Sequence, residues 1–223
     1  GQMQYRLGPS GILAAWETGA PRRPLDRCLA ILWAAGAEDD PAGWSLWERD
    51  RRLLRLREET FGAWLPARAT CPACEAELEM DLDVRALAEH LVSVESRADL
   101  RPLTSRDLAA VAGVLPDQRA ATLRDRISAT APDSIDAKTL EQQIEAAARA
   151  SELTTRLCCP ECEHTWSEVL DVAAHLWADV ESAALRLLDD VARLAACYGW
   201  PEADILAMSP ARRRAYLHLA GSA

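Results

Sequence analysis

The chain has one phenylalanine, three tyrosines and a single lysine, Lys138, among 223 residues. Eight tryptophans stand in for the missing aromatics, and 24 arginines make up the rest of the 25 basic residues. With so much alanine, this bias reflects a GC-rich genome and carries no function. No apolar run reaches the roughly 18 residues a membrane span needs, and the first residues show no signal-peptide pattern. The sequence therefore reads as soluble and cytoplasmic, with no membrane partner. GxGxxG, P-loop, GxSxG and HExxH motifs are all absent. His90, His175 and His218 have no nucleophile or carboxylate at a recognisable spacing, so the chain reads as not an enzyme. A formal charge of −10 repels phosphate backbones and argues against nucleic acid as a partner.

Cysteine is present in an odd number, seven. In a chain without a secretory signal the thiols stay reduced, and CxxC pairs point to metal or redox chemistry. Four of the seven form two such pairs, in stretches that are near-copies: Cys71-Pro-Ala-Cys74-Glu-Ala-Glu-Leu-Glu-Met-Asp-Leu-Asp-Val84 and Cys159-Pro-Glu-Cys162-Glu-His-Thr-Trp-Ser-Glu-Val-Leu-Asp-Val172. They superpose without a gap. Each CPxC turn aims two thiolates at one point, and two such knuckles make a closed tetrahedral site. The duplication therefore predicts one structural zinc ion held by Cys71, Cys74, Cys159 and Cys162. Cys158 aligns with Thr70, outside the knuckle, and is not expected to ligate. His164 could replace a ligand, but its counterpart is Ala76. Cys28 and Cys197 lie in apolar helical stretches and read as core. A thioredoxin-type oxidoreductase would need a CxxC at a helix N-terminus in a βαβ setting, whereas strand-like residues follow both knuckles.

Periodicity gives the surroundings. Helical patterns run from Pro9, from Pro24 to Gly36, and from Ser45 to Phe61, where leucines 46, 53, 54 and 56 mark an apolar face. The arginines from Arg51 to Arg57 are flanked by Glu48, Asp50, Glu58 and Glu59 and read as a solvated face. Leu78, Met80 and Leu82 alternate with acids, as in a half-buried strand, and Asp83 and Asp171 can each cap a following helix. Between the copies, helices are expected after Thr104 and over Leu140 to Leu153, with connections at Pro116 and at residues 131–134. Val172 to Leu194 recurs at three or four residues, giving a helix of about seven turns that ends before Gly199. Trp16, Trp33, Trp47, Trp64, Trp166 and Trp177 are expected in the core, while Trp44 and Trp200 sit in connections.

The fold class is thus mainly α with a small β zinc-ribbon-like module. The expected order is a helical N-terminal region (1–63), a first knuckle half (64–84), a helical insertion (85–152), a second knuckle half (153–172) and C-terminal helices (173–223). Two short terminal helices, opened by Pro201 and Pro210, carry Trp200, Ile205, Leu206, Met208, Tyr216 and Leu217. Either they fold back over the zinc module as a lid, or part of this face docks a partner.

Several stretches carry a family resemblance: Leu54-Arg-Leu-Arg-Glu-Glu-Thr-Phe-Gly62, Leu103-Thr-Ser-Arg-Asp-Leu-Ala109, Cys159-Pro-Glu-Cys-Glu-His-Thr-Trp166 and, most specific, Tyr198-Gly-Trp-Pro-Glu-Ala-Asp-Ile-Leu-Ala-Met-Ser-Pro-Ala-Arg-Arg-Arg-Ala-Tyr-Leu217. The chain resembles the baseplate proteins of contractile phage-tail-like injection systems, often named T4-type baseplate hub assembly chaperones. Where that family often has Gly after each knuckle, this chain has Glu75 and Glu163. The resemblance implies a non-enzymatic bacterial protein, cytoplasmic or associated with the particle, whose partners are baseplate, hub or spike proteins. It leaves open an assembly chaperone or adaptor against a component retained in the particle. Outside the family, a zinc-ribbon nucleic-acid adaptor and a CxxC oxidoreductase are the alternatives.

Overall fold

A computed structural model describes residues 3–92, 102–128, 136–150 and 152–221. Three helices come first: α1 (Pro9–Gly19), α2 (Pro24–Ala34) and α3 (Leu46–Phe61). Prolines open α1 and α2 at positions where a missing N–H costs nothing. Asp40 accepts from the Ala42 amide to start a single 3-10 turn, Pro41–Gly43, and Ser45 caps α3 by accepting from Glu48. Hairpin β1 (Trp64–Thr70)–β2 (Glu77–Asp83) follows, then α4 (Val84–Val92). The insertion contributes α5 (Ser105–Ala112), α6 (Arg119–Ser128) and α7 (Ala137–Ala150). A second hairpin, β3 (Thr154–Cys158)–β4 (Thr165–Val169), feeds directly into α8 (Val172–Tyr198), and α9 (Glu202–Ala207) and α10 (Pro210–Gly221) close the chain.

The helical regions at the two ends of the chain share one core. Leu176, Val180, Ala184 and Leu187 of α8 are buried against Ile12, Ile31, Leu53 and Leu56 of the first three helices. Gly19 lets α8 approach α1: a Cβ there would lie 2.4 Å from Cζ3 of Trp177. Leu65, Leu82, Leu170 and Val172 extend this core to the bases of both hairpins. A smaller cluster of Leu103, Ile127 and Leu46 ties the insertion to α3. Asp107 is fully buried there, accepting from the Thr104 amide at 2.9 Å and from Arg126 at 2.8 Å.

Several details depart from the sequence reading. The insertion holds a further helix, α6, in a stretch too polar to show an apolar face. The helix expected over Leu140–Leu153 begins at Ala137, because Asp136 accepts from the amides of Lys138 and Thr139. Leu153 belongs to the hairpin instead, its carbonyl taking the Leu170 amide. The connection at residues 131–134 lies outside the described residues. Trp177 is buried as expected and Trp16, Trp47 and Trp166 are half-buried, but Trp33 and Trp64 are exposed. Cys28 is core, whereas Cys197 is exposed on the outer side of α8. Arg57 is not on a solvated face. It is buried and donates to Asp179, Gly62 and Trp64. Among the described residues no helix is long and apolar enough to cross a membrane.

The terminal helices do not cover the hairpins. Gly199, in the left-handed conformation at φ 68°, ends α8. The chain then turns back on that helix's last turns, where Val191, Leu194 and Ile205 are buried together. A 27-residue helix is about 40 Å long, and the hairpins lie at its other end. Tyr198 stacks on Trp200 at 4.4 Å and Tyr216 meets the Trp200 ring edge-on at 4.8 Å. Leu206 and Leu217 pack against this small cluster, and Met208 is half-buried. Most of the apolar face singled out in the sequence is therefore spent within the chain.

Candidate metal centre

The 88-residue offset of the sequence copies reappears in the backbone. In the first hairpin Thr70 pairs with Glu77, and in the second Cys158 pairs with Thr165, so each ladder closes on a six-residue knuckle. The Cys71 amide donates to the Ala76 carbonyl and the Cys159 amide to the His164 carbonyl, both at 2.9 Å. Glu75 and Glu163 donate back to the carbonyls of Cys71 and Cys159, also at 2.9 Å. Both glutamates sit at φ 60°. That left-handed conformation costs roughly 1 kcal/mol or more for a residue with a Cβ and nothing for glycine. Replacing Glu75 and Glu163 by Gly is therefore expected to stabilise the protein, by about 0.5–1 kcal/mol at each site once the greater freedom of glycine in the unfolded chain is set against the relieved strain. A rise in the urea midpoint checks this, and a fall overturns it.

The two knuckles face each other. Cys71 Sγ lies 3.7 Å from Cys162 Sγ, and Cys74 Sγ 3.6 Å from Cys159 Sγ. All four sulfurs fall within 4.8 Å of one another, close enough to hold one metal ion. Cys71 and Cys159 are buried, and Cys74 and Cys162 lie on the open side. Removal from water pushes the Cys71 thiol up, but the amides of Ala73 and Cys74 and the neighbouring thiols outweigh it and bring the group down to about 7. Cys162 goes the other way. The His164 amide draws it down, yet Cys74, burial and the other two thiols together push it up to about 12. A cation bound among the sulfurs would displace the protons they still hold.

The remaining candidates stand apart from the cluster. Cys158 is exposed, its sulfur 3.9 Å from the carbonyls of Cys159 and Glu163. His164 is stacked along Trp166 with ring centroids 6.0 Å apart. Cys28 is buried on the inner face of α2, and loss of water around it pushes its thiol up to about 11 against the lowering charge of Arg49. Around the site, Glu75, Glu77, Glu79 and Asp81 are exposed, so the outer surface of the first hairpin is acidic.

No family model, curated protein or solved structure matches the chain.

Proposed function

We propose that the four thiolates hold one structural zinc ion in a zinc-ribbon-like module, and that the chain is a non-enzymatic assembly protein of a contractile phage-tail-like injection system. The observation that carries the metal reading is the sulfur geometry. Tetrahedral zinc at about 2.3 Å from each sulfur requires sulfurs roughly 3.8 Å apart, and the facing pairs stand at 3.7 and 3.6 Å. Four protein sulfurs leave no position for a substrate, which supports a structural role. The biological setting rests on the sequence resemblance. Within it the protein acts as chaperone or adaptor for baseplate, hub or spike proteins.

Metal analysis of protein purified without added zinc should find about one zinc per chain, the stoichiometry of a closed four-thiolate site. Alkylation of the zinc-loaded native protein should mark Cys158 and Cys197, both exposed, and spare Cys28, whose buried thiol near 11 supplies almost no thiolate. The four ligands should react only after chelation. Modification of all seven cysteines before chelation would refute the closed site. For the setting, the test is deletion of the gene in its host followed by electron microscopy. Loss of assembled baseplates is expected, and normal particles would overturn the proposal. Mass spectrometry of purified particles then separates a chaperone, which is absent from them, from a retained component.

A further inference from the structure

An open groove of about 930 Å³ runs between the middle of α8, the start of α10 and the segment that leads into α1. Its walls are fixed within the chain. The Leu7 amide donates to Thr60 Oγ1 at 3.1 Å, which pins the N-terminal segment to α3. Arg213 ties α10 to α8 through Asp190 at 3.5 Å and donates to the Met208 carbonyl. The groove is thus formed before anything enters it. The parts of Leu7, Ile12 and Leu187 that reach the surface make an apolar floor, and Leu185 stands on the lip with 53% of its surface exposed.

Four arginines and two aspartates line the groove, a positive surplus on a chain whose formal charge is −10. Both aspartates are already paired, Asp190 with Arg213 and Asp189 with Arg193 at 3.9 Å. Arg6, Arg186 and Arg214 are exposed, and among the described residues no carboxylate pairs with any of them; Arg186 donates to the Ser182 hydroxyl. On α3, by contrast, Arg51 and Arg52 share Glu48, and Arg55 has Glu59. The groove therefore gathers cations that the chain itself does not neutralise, around leucines that it does not cover.

This combination selects its occupant. Guanidinium groups pair best with carboxylates, through two parallel N–H bonds, and the floor takes aliphatic side chains. A phosphate or a nucleic-acid backbone would meet the arginines but leave the leucines wet, and the remaining charge of the chain repels it. A second copy with its acidic hairpin in the groove would leave its own groove open to a third, a contact that does not close. The lining residues of α8, from Ser182 to Asp190, extend roughly 12 Å. A docked helix presents apolar anchors at i, i+3 or i+4 and i+7 over a similar length.

We propose that this groove docks an acidic amphipathic helix of a partner protein. Its aliphatic side chains lie over Leu7, Ile12, Leu185 and Leu187, and its flanking carboxylates pair with Arg6, Arg186 and Arg214. No lining residue belongs to a hairpin, so the proposal stands independently of zinc, and it does not depend on the partner being a baseplate protein.

The test uses the full chain with its metal and a labelled synthetic helix of about four turns, with leucine on one face and glutamate on both flanks, followed by fluorescence anisotropy. Saturable binding of one peptide per chain is expected. The same peptide with glutamine for glutamate, or with serine for leucine, should bind at least tenfold more weakly. Arg186→Glu combined with Arg214→Glu should abolish binding and leave the melting temperature within a degree or two, since both side chains are exposed. The proposal is overturned if the acidic peptide shows no saturable binding below millimolar concentration, if either control peptide binds equally well, or if the double variant keeps wild-type affinity. Displacement of the peptide by duplex DNA at equal charge concentration would show a general anion site and also overturn it. So would sedimentation showing wild-type self-association that the double variant loses, which would make the occupant a second copy.

Discussion

Changing Cys74 and Cys162 together to Ser is expected to remove most of the stability of the hairpin module and to loosen the helical core beneath it. Each knuckle supplies one of these two open-side thiols, so the double variant leaves a single sulfur from each hairpin, two ligands where a tetrahedral zinc site needs four. A structural zinc bound by four thiolates contributes roughly 10 kcal/mol or more to folding, while a whole domain is stable by only about 5–15 kcal/mol. Outside the cluster, each hairpin is only a two-stranded ladder, and such ladders are marginal in water by themselves. Leu65 and Leu82 at the base of one hairpin, and Leu170 and Val172 at the base of the other, are packed in the main core. On the zinc reading, loss of the metal should therefore propagate inward. Circular dichroism with a urea titration should show a lower midpoint and a broader transition for the variant, and the same change for wild-type protein stripped by a chelator. An unchanged midpoint in both would sink the structural-zinc reading.

The second large effect is expected at Arg57. Its guanidinium donates to Asp179 of α8 at 2.7 Å, to the Trp64 carbonyl at 3.0 Å and to the Gly62 carbonyl. It thus fastens α3 and the start of β1 to the central helix. Arg57→Met keeps the length of the side chain but leaves Asp179 unpaired and two carbonyls without their donor. Removing one partner of a buried pair costs about 3–5 kcal/mol, and the partial exposure of Asp179 places this case near the lower figure. For a chain of this size about 3 kcal/mol corresponds to a fall of roughly 6–12 °C in melting temperature. Arg57→Lys should recover less than half, since an ammonium lacks the planar fork that reaches three acceptors. Arg55→Met removes the exposed pair with Glu59 and the contact of the guanidinium with the Tyr5 ring at 3.9 Å, and should cost about 0.5–1.5 kcal/mol. Equal effects at positions 55 and 57 would show that the buried network is not what stabilises the protein.

These two sites also mark how far the sequence could be read. The four cysteines were legible because a gapless duplication repeats both the ligands and the turns that aim them, and the turns depend only on local residues. Helix starts were legible for the same reason: Pro9, Pro24, Ser45 and Asp171 act within one turn of themselves. Arg57 was not legible. It lies among arginines and glutamates of identical local pattern, and only the arrival of Asp179, 122 residues later, separates it from Arg55. Cys197 misled in the opposite sense, since α8 has more apolar residues than one buried face can use and its outer side is left exposed. Arg6, Arg186 and Arg214 come to one groove through tertiary packing alone, and no spacing in the sequence relates them. Terminal residues such as Trp200 and Tyr216 were recognised as apolar and short of cover. What covers them, the last turns of α8, depends on where Gly199 reverses the chain.

The order of the two hairpins along the chain also sets a timetable for synthesis. Cys74 and its eventual neighbour Cys159 are 85 residues apart, and ribosomes add about 5–20 residues per second. The first knuckle therefore waits roughly 4–17 s as a bare pair of thiols before the second can leave the ribosome. The central helix follows later still, so α1, α2 and α3 emerge with the apolar faces that will meet α8 still open to water. Neither the sulfur cluster nor the main core can be completed cotranslationally in its first half. The nascent chain has to be kept reduced until Cys162 is made and shielded from aggregation until α8 follows, and a message truncated before Cys159 yields a product with both defects at once.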